Sequence, residues 1–207
     1  MNRLVRSRYL WGLVIGCVAV TLIRPLLRRE PAPPPVLRHL PRFALLDPNG
    51  ATFGSDALRG HVYVANFFST RCASIGPPLM PGMAKLQERY REIGIDSIRL
   101  VSISVDPAYD TPERLRAVQA SYGVDPVRWV LLTGGIEEVR SLAEQGLQEP
   151  FGDQAAGGDR ACAGAYLSAL MLVDAQGALR GVYGTDEAGL DEVFWRSRHV
   201  LQEAQGR

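Results

Sequence analysis

An apolar run that ends close to a lone cysteine constrains this chain more than any other feature. The run covers residues 61–68, is rich in β-branched and aromatic side chains, and is followed four residues later by Cys72. Such a run is typical of a strand buried on both faces of a parallel sheet. A helix is predicted soon after Cys72, and the amino end of a helix favours the thiolate form of a nearby cysteine. We therefore expect the chemistry of this protein to lie at Cys72.

Strand and helix patterns alternate along the rest of the chain. The predicted order is a hairpin at 43–53, strands at 61–68, 98–105 and 129–132, each followed by a helix, a second hairpin at 166–183 and a closing helix at 190–201. This order predicts an α/β fold of the thioredoxin type, with a central mixed sheet flanked by helices. Residues 148–165 lack periodicity and predict a loop insertion. Pro81 and Gly82 are expected to delay the first helix until about Met83.

The N-terminal residues divide into two segments ahead of the folded domain. Residues 9–23 are uncharged and flanked by arginines, which predicts a single membrane helix, the anchor, within residues 1–29. The Pro-rich residues 30–41 predict a stiff linker, and residues 42–207 predict one thioredoxin-like domain. A lipoprotein signal ending at Cys17 and a cleaved signal peptide are the alternatives for the first segment.

Charge and cysteine content exclude two classes of function. The net charge is +1, whereas a nucleic-acid-binding protein needs a basic field that displaces counterions from phosphates. Three cysteines are too few for a disulfide framework and lack the spacing of a zinc site. Because Cys17 lies in the apolar N-terminal run, Cys72 and Cys162 are the candidates for redox or soft-metal chemistry.

Several segments, taken together in their order and spacing, resemble the SCO/SenC family of membrane-anchored thioredoxin-fold proteins. These proteins assist the assembly of the copper centre of cytochrome c oxidase. The segments are residues 58–68, 100–107, 110–115, 129–134 and 172–177, within a resemblance that spans most of residues 41–203. The resemblance implies a membrane-anchored protein with its domain outside the cytoplasm, on the periplasmic side. It also implies copper as a ligand and an oxidase subunit or another copper or thiol protein as the partner.

The chain departs from the family at the metal site. Family members carry a Cys-x-x-x-Cys-Pro motif, and this chain keeps Cys72 and Pro77 but has Gly76 at the second cysteine. The family also carries a histidine eight residues before the aspartate of the last hairpin, and counting back from Asp174 gives Tyr166. Because Cu(I) favours two or three soft or imidazole ligands, the resemblance implies lost or altered copper binding.

Other sulfur-containing side chains are candidates to rebuild the site. Cys162, four residues before Tyr166, would provide Cys72 with a disulfide partner or a second thiolate, or would remain a thiol in a loop. Met80 and Met83 follow Cys72 closely and are either weak copper ligands or packing residues.

The remaining polar candidates have structural alternatives. None of the histidines matches the family's ligand position, and all are expected to be structural or solvated; they are His39, His61 and His199. Asp106 and Asp110 are expected to serve as turn and cap residues near the site. Arg71 would favour the thiolate of Cys72 or be solvated.

Three functions follow from these residues. The first is that of an SCO/SenC-like accessory protein. The second is that of an enzyme, either a one-cysteine thiol peroxidase or a thiol–disulfide oxidoreductase using Cys72. The third is that of a non-catalytic interaction module. The accessory role is favoured over the enzymatic one.

Overall fold

A computed structural model describes residues 8–27, 32–72, 76–147 and 169–206. The chain divides into two compact units, Met1–Ala32 and Pro33–Arg207. The first unit contains helix α1 (Arg8–Leu27). Across the described ranges, no helix combines the length and the apolarity needed to cross a membrane. The anchor therefore remains a prediction.

The second unit is built on a mixed sheet with a separate N-terminal hairpin. The sheet strands are β1 (Arg38–His39), β4 (Val62–Phe68), β5 (Ile98–Ser104), β6 (Trp129–Leu132), β7 (Leu170–Val173) and β8 (Ala178–Tyr183), and the hairpin is β2 (Ala44–Leu46) with β3 (Thr52–Gly54). The sheet has six strands in the order β1-β8-β7-β4-β5-β6. β4, β5 and β6 are parallel, whereas β7, β8 and β1 pair antiparallel. The predicted α/β class with a mixed sheet is confirmed.

Helices cover the two faces of the sheet, and each face has its own hydrophobic cluster. The helices are α2 (Gly76–Glu92), α3 (Pro112–Tyr122), α4 (Ile136–Leu147) and α5 (Glu187–Ala204), and a short 3-10 turn covers Ser55–Leu58. Alternate residues of a strand point to opposite faces. Tyr63 and Phe67 of β4 belong to the cluster that includes α4 and the hairpin, which we call the α4 cluster. Val64 and Phe68 belong to the cluster that includes α2, α3 and α5, which we call the α2/α5 cluster.

Helix α2 begins earlier than the sequence predicts. It starts at Gly76 and continues through Pro81, whereas we expected a start near Met83. Proline removes one hydrogen bond to the carbonyl four residues back, and here that bond lies next to the helix end, where several groups lack intrahelical partners anyway. Leu79, Met80 and Met83 are almost completely buried, so their packing stabilises this turn.

The folded unit begins inside the predicted linker. β1 pairs with β8 through Arg38 and Leu179 and through His39 and Ala178. Arg180, which is buried, donates from Nε to the carbonyl oxygen of Pro34 at 2.7 Å. The linker predicted over residues 30–41 is thus shorter than expected, because its second half is held along the edge of the sheet. The loop insertion at 148–165 lies outside the described residues.

Candidate redox site at the end of strand β4

The candidate site lies where β4 ends and α2 begins. All seven residues of β4 are buried. Cys72 follows the strand after a short loop, has 2% of its surface exposed and belongs to the α4 cluster. Helix α2 begins at Gly76, four residues after Cys72. The apolar run thus places Cys72 at the carboxyl end of a central strand and ahead of a helix.

Cys72 is oxidised in this structure, as one half of a disulfide. Cys17 is exposed on α1 and carries a thiol. The chain contains three cysteines. The third, Cys162, lies outside the described residues, and so does Tyr166.

A buried carboxylate fixes the loop that leads to Cys72. Asp110 is fully buried, and its Oδ2 accepts hydrogen bonds from the Thr70 amide at 3.2 Å and from the Ser104 hydroxyl at 2.6 Å. Its Oδ1 accepts from the Thr70 hydroxyl. A buried carboxylate is costly unless donors surround it. Asp110 therefore stabilises the loop after β4 by tying it to the end of β5.

Arg71, next to Cys72, is paired with a second carboxylate. Its Nε and Nη2 lie 2.7 Å and 2.5 Å from Oδ2 of Asp106. Its guanidinium carbon lies 4.3 Å from the ring centroid of Tyr109, and that of Arg114 lies 3.5 Å from the same centroid. The negative charge of Asp106 offsets the positive charge of Arg71, and this ion pair joins the loop after β4 to the loop after β5.

The two aspartates thus do more than form a turn and a cap. The backbone carbonyl of Asp106 accepts from the amides of Tyr109 and Asp110, as expected of a turn residue. The N-cap residue of α3 is Thr111, however, and not Asp110. Sequence reasoning missed the contact between Thr70 and Asp110 because the two residues are 40 positions apart. The signal available was topological, since the ends of adjacent parallel strands meet at one edge of a sheet.

The thioether candidates belong to a different hydrophobic cluster from Cys72. Met80 and Met83 have 1% and 0% of their surface exposed and pack in the α2/α5 cluster. Cys72 packs in the α4 cluster, on the opposite face of the sheet. The two methionines thus pack in a different hydrophobic cluster from Cys72.

The histidines are distributed over other parts of the fold. His39 lies in β1, and His61 directly precedes β4. His199 lies on α5, and its buried Nδ1 has no hydrogen-bond partner among the described residues. Gly76 offers no side chain to a metal. Within the ranges that the structure describes, no three side chains of histidine, cysteine, aspartate or glutamate are arranged to hold a metal ion.

Comparison with known proteins identifies the family. The SCO1/SenC family profile matches residues 33–201, which is most of the chain. The chain belongs to the SCO1/SenC family. This assignment confirms the resemblance that the sequence segments indicate.

Two curated relatives and two solved structures illustrate the similarity. A SCO1 homolog of Bacillus subtilis is 35% identical over 92 residues, 44% of this chain and 47% of its own length. A Stutzerimonas stutzeri protein, named as a candidate copper-binding protein, is 30% identical over 145 residues, 70% of this chain and 68% of its own length. The chain thus spans between about half and two thirds of these relatives.

The solved structures share the fold. A SCO1/SenC family lipoprotein from Bacillus anthracis superposes with a TM-score of 0.69 at 27% identity, covering 79% of this chain and 95% of that one. BsSco, studied for a disulfide switch and described as a member of the Sco family of cytochrome c oxidase assembly proteins, superposes with a TM-score of 0.70 at 23% identity, covering 82% and 98%.

Proposed function

We propose that this protein is a membrane-anchored accessory protein for assembly of the copper centre of cytochrome c oxidase, with its domain outside the cytoplasm. The observation that carries the proposal is the family match over residues 33–201. The S. stutzeri relative is named for copper binding, which supports a copper-related function. The B. anthracis relative is a lipoprotein, which supports a location at a membrane. The uncharged N-terminal run at 9–23 supports attachment through the first segment.

The chemistry proposed for this member is thiol–disulfide exchange, because Gly76 and Tyr166 replace two of the family's three ligands. Cys72 is disulfide-bonded and Cys17 carries a thiol, which supports Cys162, the third cysteine, as the partner of Cys72. A thiolate of a partner protein attacks one sulfur of this disulfide, forms a mixed disulfide and releases the other sulfur as a thiolate. A second thiolate of the partner then attacks the partner's own sulfur in the mixed disulfide. This step forms the partner's disulfide and releases the cysteine of this chain as a thiolate. The partner's dithiol loses two electrons, and the pair on this chain gains them.

A general thiol–disulfide oxidoreductase is the second candidate function, and the oxidised state of Cys72 favours it. A thiol peroxidase gains no support, because its cysteine must be a thiolate, and Cys72 is held in a disulfide. The two remaining functions differ in their partner. The accessory protein acts on oxidase copper ligands, whereas the general oxidoreductase acts on many dithiols.

Complementation of a strain that lacks this gene tests the proposal. We expect the deletion to lower cytochrome c oxidase activity in membranes, the wild-type chain to restore it, and Cys72→Ser and Cys162→Ser to fail. Cys17→Ser is the matched control and should restore activity, because that cysteine is outside the proposed pair. Normal oxidase activity in the deletion strain would refute the accessory role. Full rescue by both Cys72→Ser and Cys162→Ser would leave the interaction module as the function.

A Cu(I) titration separates exchange from copper transfer. The reduced protein is titrated against a chelator of known affinity, in wild-type and Cys72→Ala forms. The proposed Cys72–Cys162 pair, once reduced, offers Cu(I) two thiolates, and Gly76 and Tyr166 supply no third ligand of the family's kind. We therefore expect weaker Cu(I) binding than a three-ligand site gives, without sub-micromolar affinity. Sub-micromolar binding that Cys72→Ala abolishes would instead show a rebuilt copper site and overturn the exchange-only account.

A further inference from the structure

A cleft lies near the first residues of β4, at the end of the strand opposite to Cys72. It has a volume of about 220 Å³, and the polar side chains lining it are His39, Arg42, Ser55, Arg59, Tyr63 and Gln176. Tyr63 is the second residue of β4, and Cys72 lies beyond the far end of the strand. At about 3.3 Å per strand residue, the distance from Tyr63 to Phe68 alone is about 17 Å. The cleft is therefore separate from the redox site.

Backbone hydrogen bonds hold the walls of the cleft in place. The amide of Leu40 donates to the carbonyl of Gly177 at 3.0 Å, and that of Gly60 donates to the carbonyl of Ala175 at 2.9 Å. The last hairpin turn is thus joined both to the segment after β1 and to the segment before β4. A cleft with fixed walls is preformed, so a ligand bears little of the cost of ordering it.

The side chain of Tyr63 lines this cleft. Tyr63 has 4% of its surface exposed, and no hydrogen bond of its hydroxyl is found in the part of the chain that the structure describes. Burial and the nearby carboxylate of Asp174 raise the pKa of Tyr63, so the hydroxyl stays protonated and acts as a donor. Asp174 is itself paired with Arg180 at 3.2 Å. A protonated hydroxyl that lines a cleft contributes a hydrogen bond when a ligand supplies an acceptor.

The charge of the lining points to the kind of acceptor. Two arginines and a histidine line the cleft, and no aspartate or glutamate is among the residues that form it. Arg59 is paired with Asp56 at 2.9 Å, but both side chains are more than half exposed, so this pair contributes little. No ion pair of Arg42 is found in the described ranges. The cleft therefore has an excess of positive charge.

We propose that this cleft binds a small organic carboxylate. Arg42 and Arg59 attract the carboxylate, the hydroxyl of Tyr63 donates to one of its oxygens, and the apolar part of the ligand packs on Leu40 and Leu58. The carboxylate belongs either to a free small acid or to the carboxyl terminus of a peptide. The inference does not depend on the redox function, because no residue is shared with the site at Cys72.

Fluorine NMR of the full-length protein in a zwitterionic detergent tests the proposal. One probe is 4-fluorobenzoate, for a free acid. The other is an acetylated dipeptide ending in 4-fluorophenylalanine with a free carboxyl terminus. The matched controls are the amides of both probes and detergent without protein. We expect saturable binding of a carboxylate probe with a Kd of about 1 mM, and at least tenfold weaker binding of its amide.

Substitutions then locate the binding site. Tyr63→Phe removes only the hydroxyl and should weaken binding about fivefold, and Arg42→Gln should weaken it about tenfold. Arg91→Gln, which changes an exposed arginine on α2, is the control and should have no effect. Thermal unfolding of each variant verifies folding. Absence of saturable binding to the wild type, equal binding of the amides, or unchanged binding in both Tyr63→Phe and Arg42→Gln would overturn the proposal.

Discussion

Replacing Asp110 by asparagine removes the charge that holds the loop before Cys72 while preserving the shape of the side chain. In the wild type, the carboxylate accepts three hydrogen bonds, two from Thr70 and one from Ser104. In the variant, the amide oxygen still accepts from the Thr70 amide and the Ser104 hydroxyl, and the amide nitrogen donates to a rotated Thr70 hydroxyl. The three contacts thus persist without the charge.

The magnitude follows from the difference between charged and neutral hydrogen bonds. A hydrogen bond to a charged group contributes about 1.5–3 kcal/mol and a neutral one about 0.5–1.5 kcal/mol, so each bond loses about 1–1.5 kcal/mol and the three together lose about 3–4.5 kcal/mol. We expect Asp110→Asn to lower the free energy of unfolding by that amount. Thr70→Val, which removes the hydroxyl that donates to this carboxylate, should lower it by about 1.5–3 kcal/mol, and Thr70→Ser should leave it nearly unchanged.

Urea unfolding followed by the fluorescence of the buried Trp129 measures these differences in free energy. A second readout is the rate at which dithiothreitol reduces the disulfide of Cys72. This rate should rise in Asp110→Asn, because the loosened loop exposes the sulfur. A loss below about 0.5 kcal/mol together with an unchanged reduction rate would refute the assigned role of Asp110.

The remaining predictions concern charges and ionisation elsewhere in the domain. Arg180→Met should lower the free energy of unfolding by about 3–5 kcal/mol, because it leaves a buried carboxylate unpaired, and should expose residues 33–40 to protease. Arg71→Met should cost less than about 1 kcal/mol in urea unfolding, because its ion pair with Asp106 is partly exposed. Burial raises the pKa of Tyr63 and Tyr90 above the ordinary value of 10.0. The two hydroxyls therefore contribute fully to stability below about pH 10. This contribution is lost as the pH rises above about 10, because the tyrosines of the unfolded chain ionise there and those of the folded chain do not. Unfolding curves of the wild type and of Tyr90→Phe from about pH 8 to 11 measure the loss.

The sequence predicts the fold well because hydrophobic patterning alone determines its central strands. The run at 61–68 becomes β4 and places Cys72 at its carboxyl end. The start of α2 was harder to predict from the sequence. Pro81 is a local signal against a helix, whereas the burial of Met80 and Met83 that stabilises this turn is a tertiary effect. Local propensity cannot represent such packing.

The candidate site was only partly predictable, because its composition depends on sheet geometry. Met80 follows Cys72 by eight positions, yet the two side chains belong to clusters on opposite faces of the sheet. Proximity in sequence therefore does not show which cluster a side chain joins. The contact between Thr70 and Asp110 shows the reverse case, in which a long separation in sequence conceals a direct hydrogen bond.

Peptide mapping of the purified protein under non-reducing conditions tests the central claim most directly. Trypsin should release Cys72 in residues 72–85 and Cys162 in residues 161–180, because arginine or lysine precedes and ends each peptide. We predict that the two peptides are recovered as one disulfide-linked species, which separates when a dithiol reduces it. Recovery of both peptides as unlinked thiols, or of Cys72 linked to Cys17, would contradict the account.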